Sequence, residues 1–247
     1  MAANEKITLI NAALGYQKSG GDIAVLDHIN LSFYEGDFVG IAGLNGTGKS
    51  TLLKSICGLI PLLSGAVHID HQNINDLSLA ALAKKVAIVL TERVGGFNLT
   101  AYDVVAAGQM PYTGSFNRLY GEHLAVIESA IEQCGIRNHQ HKPVNELSDG
   151  LFQKTVIAKA LAQQTPLLLL DEPSAFLDYA SKHELFLLLK KLAQHEKKCI
   201  LVSSHDLDLV LKYCNKILLV SEKGAELLPV AEAAQSDTFK TIGGGYI

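Results

Sequence analysis

Tryptophan is absent from the 247 residues, and cysteine is scarce. The four cysteines, Cys57, Cys134, Cys199 and Cys214, stand far apart with no C-x-x-C pair. That spacing argues against a zinc ribbon or a dithiol redox motif. Cys57 and Cys199 lie in apolar runs and read as small core residues. Long hydrophobic runs are missing too: those at 167–170 and 185–189 are far too short to span a bilayer. An N-terminal leader is not expected, because Glu5 and Lys6 fall where its apolar stretch should begin. Neither sign of charge dominates, with 21 Lys and Arg against 25 Asp and Glu and a formal net charge of -4. Nothing there suggests a polyanion binder, so nucleic acid is not an expected partner. Internal repeats and low-complexity linkers are also lacking, so any site the chain carries should occur once. A soluble cytoplasmic protein is the expectation from composition.

What is present is a chain with 48% hydrophobic residues, long enough to bury a substantial core and near the upper end for one domain. Its most informative stretch is GLNGTGKST, residues 43–51. A strand-like run, 38–42, leads in, and an apolar-periodic run, 52–57, follows. Strand, glycine-rich turn and helix is the setting of a phosphate-binding loop. Gly43, Gly46 and Gly48 let backbone approach a phosphate without a Cβ in the way. The amides of Asn45, Gly46, Thr47, Gly48 and the residues after them can form an anion nest at a helix N-terminus, with Thr51 in its first turn. Lys49 can reach β- and γ-phosphates, and the Ser50 hydroxyl can ligate Mg²⁺. The ligands expected are therefore ATP and Mg²⁺.

Along the chain, the front end reads as β-rich, with Ile29, Leu31 and Phe33 on one face of a strand. Glu35, Gly36 and Asp37 read as a hairpin-like turn. A strand at 65–70, a short helix at 77–84 and a buried strand at 86–90 follow. From residue 91 to 150 the texture changes to glycine and aromatics among short helical patterns, including helices at 101–109 and 119–134. This reads as a helical subdomain inserted into an α/β core made of 1–90 and 151–247. Phe97, Leu99, Tyr102, Phe116 and Tyr120 in it could line a groove for a partner helix. Alternating strands and helices then return, which implies a largely parallel sheet covered on both faces. The last stretch, 241–247, with three consecutive glycines, is expected to be a mobile end.

The second chemical signal is Asp171 and Glu172 at the end of the apolar run 167–170. Ligands of open α/β sheets bind at that end of the strands. Asp171 can hold Mg²⁺ through water, and Glu172 can orient or deprotonate an attacking water. His205 follows another apolar strand and can hydrogen-bond a γ-phosphate. Ser148 and the Gly150 amide, at a predicted helix start, make a second anion site.

Phosphate loop, LSDG, LLLLDEP and SSHD, in that order, resemble the ATP-binding cassette family over most of the chain. The resemblance implies a P-loop NTPase with a RecA-like parallel sheet, an N-terminal antiparallel β region and the inserted helical subdomain, working as a Mg-dependent ATPase. It implies that Tyr16 stacks on adenine, that Ser148 and Gly150 face the γ-phosphate of a second subunit, that residues 174–178 with Asp178 form the D-loop, and that His205 is the switch histidine. It also implies a homodimer on transmembrane permease subunits, peripheral at the cytoplasmic face of the membrane, served indirectly by a substrate-binding protein. Two departures stand out. Where the family has a metal-reaching glutamine, this chain has Thr91 followed by Glu92. Its signature is LSDGL where LSGGQ is commoner, so Leu151 replaces an amide side chain. Residues 98–112 are similar to importers of iron-siderophores, haem and vitamin B12, with Gln109 where arginine is common. Iron-chelate import leads, with B12 or haem import and a non-transport soluble cassette as alternatives.

Overall fold

A computed structural model describes residues 4–19, 21–90, 99–113, 118–222 and 224–243. Two long strands, β1 (Glu5–Tyr16) and β2 (Ile23–Tyr34), open the chain as an antiparallel pair. Then come β3 (Phe38–Ala42), α1 (Lys49–Ile56), β4 (Ser64–Ile69), β5 (Gln72–Asn73), α2 (Leu79–Ala83) and β6 (Val86–Val89). Three further helices follow, α3 (Ala101–Ala106), α4 (Gly121–Gln133) and α5 (Asp149–Ala162). The last part runs β7 (Leu167–Leu170), α6 (Tyr179–His195), β8 (Cys199–Ser203), α7 (Leu207–Tyr213), β9 (Lys216–Ser221), β10 (Gly224–Pro229), α8 (Val230–Ala233) and α9 (Asp237–Ile242).

Two sheets result. One is antiparallel, in the order β2-β1-β4-β5. The other has the order β10-β9-β3-β8-β7-β6 and is parallel except for its edge pair β10–β9. In the parallel sheet, side chains alternate between two buried layers. Val39, Ile41, Leu167, Leu169 and Leu201 face the antiparallel sheet together with Leu52 and Leu53 of α1. Phe38, Leu168, Leu170, Ile200 and Val202 face Phe186 and Leu189 of α6 and Val210 of α7. This is why the strands read as unbroken apolar runs: both faces are covered. Gly40 brings α7 close, since a Cβ there would lie 2.3 Å from Val210 Cγ1.

Three expectations change. The turn at Glu35, Gly36 and Asp37 is real, with Gly36 at φ 80° and the Asp37 amide donating to Tyr34 O at 3.1 Å. It is not a hairpin, because β2 and β3 belong to different sheets and the turn passes the chain between layers. The helix expected over 101–109 stops at Ala106 and tightens into a 3₁₀ stretch, Ala107–Tyr112, that contains Pro111. Proline lacks an amide and pushes the residue before it out of the α region, so the regular helix cannot continue. The mobile end does not begin at 241: Thr241 and Ile242 close α9, which Ser236 caps by accepting from the Phe239 amide, and Phe239 is fully buried. α5 also packs outside the parallel sheet. Its Ala158 and Ala162 share an apolar cluster with Val105 of α3 and Ile127 and Ile131 of α4.

Candidate nucleotide site

The sheet order decides the site. β3, β8 and β7 are neighbours, and in a parallel sheet their C-terminal ends open on the same edge. The phosphate loop leaves β3, His205 follows β8, and Asp171 and Glu172 leave β7.

The loop has the backbone its glycines predict. Gly46 and Gly48 have φ 81° and 104°, a region closed to most side chains, and Gly48 is the N-cap of α1. A Cβ on Gly43 would stand 2.5 Å from Val220 O, so this glycine is fixed by the neighbouring strand. Asn45, Gly46 and Ser50 are exposed, while Gly48, Lys49 and Thr51 are buried. Lys49 Nζ donates to Gly43 O at 2.7 Å and Leu44 O at 3.1 Å. Burial lowers its pKa, and the charges of Glu172 and Asp171 act against that shift. Tyr16, half exposed, places its hydroxyl 3.2 Å from Thr51 Oγ1, so its ring stands beside the first turn of α1. A crevice of about 130 Å³ opens beside the loop, with Gly43 and Asn45 on one side and Ser204 and His205 on the other.

Asp171 is buried and Glu172 half-buried. Ser203 Oγ donates to Asp171 Oδ1 at 2.7 Å and accepts from the Glu172 amide at 2.9 Å. One hydroxyl therefore holds both carboxylate residues, and Ser203 is a site residue that reading the sequence did not single out. Its signal is the parallel register, Leu170 opposite Val202 and Ile41 opposite Ser203, which exists only once the strand order is known. Glu172 sits at φ 48°, in the left-handed region, so its side chain leaves the strand in a different direction from that of Asp171. Glu172 Oε2 accepts from the His205 amide at 3.3 Å. Its Oε1 lies 3.4 Å from His205 Nε2, an ion-pair approach without hydrogen-bond alignment, and is otherwise buried without a hydrogen-bond partner. Burial raises the Glu172 pKa above the ordinary carboxylate value, and the nearby His205 and Lys49 pull against it.

Replacing Ser203 by alanine leaves a buried carboxylate oxygen and a buried amide short of a partner. Each such loss costs about 1–3 kcal/mol. The expected result is a roughly tenfold fall in ATP turnover with little change in KM, and a lower urea midpoint of unfolding. Unchanged turnover in Ser203→Ala would remove this residue from the site.

The remaining sequence-predicted residues lie apart from this edge in the chain. Ser148 is the exposed N-cap of α5, accepting from the Leu151 amide at 3.3 Å. α5 packs on α3, α4, β6 and the 3₁₀ stretch, whereas α1 packs on β1 and β8. A Cβ on Gly150 would meet Phe176 O at 3.2 Å, so the Ser148 element rests on the backbone that precedes α6. Asp178 is the N-cap of α6, accepting from the Ser181 amide at 2.8 Å. The Ser181 amide, with the Ser181 hydroxyl, lowers the pKa of its carboxyl. Thr91, Glu92, Phe97 and Phe116 lie outside the described residues. Leu99 and Tyr120 are exposed and Tyr102 is half-buried.

The chemistry of the donor set fits Mg-ATP. Lys49 is one cation against two carboxylates, so a triphosphate brought to the loop needs a divalent cation to balance it. Ser50, exposed in the first turn of α1, and Asp171 are the oxygen donors on hand for it. Among the described residues no cluster of three or more His, Cys, Asp or Glu side chains makes a self-sufficient metal cage.

Comparison with known proteins points the same way. A family model described as ABC transporter matches residues 26–175. An uncharacterised ABC transporter ATP-binding protein of Methanocaldococcus jannaschii is 42% identical over 85% of this chain and 71% of its own length. The cobalamin import ATP-binding protein of Halobacterium salinarum is 35% identical over 80% of this chain, which spans 49% of that relative. The iron(3+)-hydroxamate import ATP-binding protein of Bacillus subtilis is 33% identical over 82% of this chain and 75% of its own length. Among solved structures, a dimeric bacterial ABC transporter cassette superposes with a TM-score of 0.81 at 28% identity, over 91% of this chain and 98% of that one.

Proposed function

The chain belongs to the ABC transporter family and is an ATP-hydrolysing ATPase of that family, and from this premise we propose that two copies sandwich two ATP molecules to power import through a partner permease. The observation that carries the reading is the Ser148 element: an exposed, capped helix start, built on α3 and α4 and not on the phosphate loop of its own chain. A second copy supplies the triphosphate it fits. Lys49 holds the β- and γ-phosphates, and Tyr16 flanks the adenine. Ser50 and Asp171 would hold Mg²⁺, which when bound would neutralise charge on the transferred phosphoryl group. Thr91 or Glu92, both outside the described residues, would take the remaining protein position. Glu172 takes a proton from the attacking water, and His205 orients Glu172 and the γ-phosphate. Asp178 sits beside the Ser148 element and relays its position to α6.

The test is complementation. Lys49→Ala disables one copy's phosphate loop, and Ser148→Arg disables the element offered to the other. Each variant alone is inactive, and their mixture recovers turnover because one composite site per mixed dimer is intact. Failure of the mixture to recover would mean that Ser148 serves its own chain's nucleotide.

No helix among the described residues is long and apolar enough to cross a membrane; in this reading the work on cargo falls to membrane subunits. A cavity of about 350 Å³ lined by Leu59, Leu79, Leu82 and Val86 suits an apolar helix of such a subunit. Leu79 is 86% and Leu59 58% exposed. Such a contact would put the ATPase at the cytoplasmic face of the membrane. The names of the relatives favour an iron chelate as cargo, brought by a binding protein, with cobalamin as the second reading from the 35% identical relative. Reconstitution with the permease in liposomes, with ferric hydroxamate, haem or cobalamin offered in turn, assigns the cargo by which one stimulates ATP turnover.

A further inference from the structure

The floor of the Leu59–Leu79 cavity is not apolar throughout: it includes Gln163. This residue is the C-cap of α5, the helix whose other end is Ser148. Its side-chain amide donates twice, to Ala83 O at 2.6 Å and to Val86 O at 3.0 Å. The first carbonyl ends α2 and the second begins β6, the strand that pairs with β7 and leads toward Thr91. Both amide hydrogens are used, and both acceptors are backbone, so no rotamer of a neighbouring side chain can substitute for them.

The backbone at the same point is held from the opposite side. Tyr112 Oη donates to Gln163 O at 2.9 Å. Gln109 Nε2 donates to Ala162 O, and its Oε1 lies 2.8 Å from His123 Nδ1 of α4. Because a carbonyl can only accept, the Gln109 amide is oriented by Ala162, and His123 Nδ1 must be the donor. Gln109 and His123 are both buried. An arginine at 109 offers donors alone, so His123 would have to switch to the tautomer in which Nδ1 accepts. The C-terminus of α5 is therefore a polar knot joining α4, the 3₁₀ stretch and the α2–β6 corner.

We infer that Gln163 is a positioning residue that ties the Ser148 helix to the wall of the partner cavity, so that a shift of that wall moves Ser148 relative to the nucleotide. This deepens the two-copy, permease-driven reading above and rests on it. The knot is discrete: two hydrogen bonds either form or break, which is what a two-position element requires.

The experiment uses the full chain carrying Gln163→Leu, with Gln163→Glu as the size-matched variant. Glutamate puts oxygens against Ala83 O and Val86 O and repels both. At pH low enough to protonate it, one donor returns. Hydrogen exchange followed by mass spectrometry reads the tether without any ATP chemistry. Peptides covering 79–89 and 107–112 exchange at least tenfold faster in both variants, those over α1 and β8 are unchanged, and the effect in Gln163→Glu shrinks as pH falls. Combined with Glu172→Gln to slow hydrolysis, either variant weakens ATP-driven association of two copies about tenfold, while ADP binding to single copies stays within twofold.

Unchanged exchange at both segments overturns the inference. So does local loosening that leaves ATP-driven association intact, and so does a loss of ADP binding with exchange raised everywhere in both variants. If Glu172→Gln by itself never associates with ATP, the two-copy reading fails, and the exchange result still decides whether Gln163 is the tether.

Discussion

Glu172→Gln stops ATP turnover and leaves ATP binding intact. The expected loss in kcat is about 10²–10⁴-fold, the usual contribution of a positioned general base. The side chain keeps its size and its place at φ 48° beside the Ser203-held turn, but it can no longer take a proton. Phosphate release at saturating ATP gives the rate, and equilibrium binding of a fluorescent ATP analogue gives the affinity. Normal turnover in the variant would take Glu172 out of the reaction. The pH profile carries the same claim with a sign that can be worked out. Burial raises the Glu172 pKa, so the carboxylate needed as base is lost on acidification at a higher pH than for an ordinary carboxylate. The acid limb of wild-type kcat therefore lies above the reference value of 4.5. The stability effect runs the other way. A carboxyl whose folded pKa is raised favours the folded state most below its unfolded pKa, and that contribution disappears as pH rises through the folded value. Turnover and stability should thus change in opposite directions across this one window, and Glu172→Gln removes both trends.

Lys49→Ala produces the second large effect, on binding instead of chemistry. The ammonium is buried, bonded to Gly43 O and Leu44 O, and close enough to Asp171 and Glu172 to feel both charges. Hydrogen bonds to charged groups are each worth about 1.5–3 kcal/mol. Losing the reach to two phosphates should weaken ATP binding by roughly 10²-fold or more. Titration calorimetry with Mg-ATP and with Mg-ADP measures it. The loss should be larger for ATP, because the γ-phosphate contact is missing for both proteins with ADP. Equal affinity for ATP in wild type and Lys49→Ala would exclude Lys49 from phosphate binding.

Those two residues, and most of what surrounds them, are legible in the order of amino acids because their geometry is local. Gly46 and Gly48 supply φ values few other residues adopt, five apolar residues deliver the loop, and Lys49 begins the helix that follows. Leu167–Leu170 ends in two carboxylates for the same kind of reason: a short strand buried on both faces must release its polar residues at its edge. Ser148 caps a helix because a serine oxygen two or three residues before free amides nearly always does. Misjudged elements were also local, but turned on partners the local sequence does not contain. Residues 35–37 look like a hairpin turn unless it is known that β3 joins another sheet. Residues 241 and 242 look like the start of a loose end until they are seen closing α9, whose buried Phe239 and contacts with β9 anchor it.

The order of amino acids by itself determined a glycine-rich loop between strand and helix, a pair of strand-end carboxylates and a serine-capped helix start, each written within about ten consecutive residues. Only the tertiary structure decided that Ser203 bridges Asp171 and Glu172, and that Gln163 reaches back to Ala83 and Val86. The physical reason is range. Dihedral preferences and helix caps act between neighbours in the chain, whereas the order β3-β8-β7 and the packing of α5 on β6 are chosen by burial over the whole core, and a side chain's distant partner follows from that choice alone.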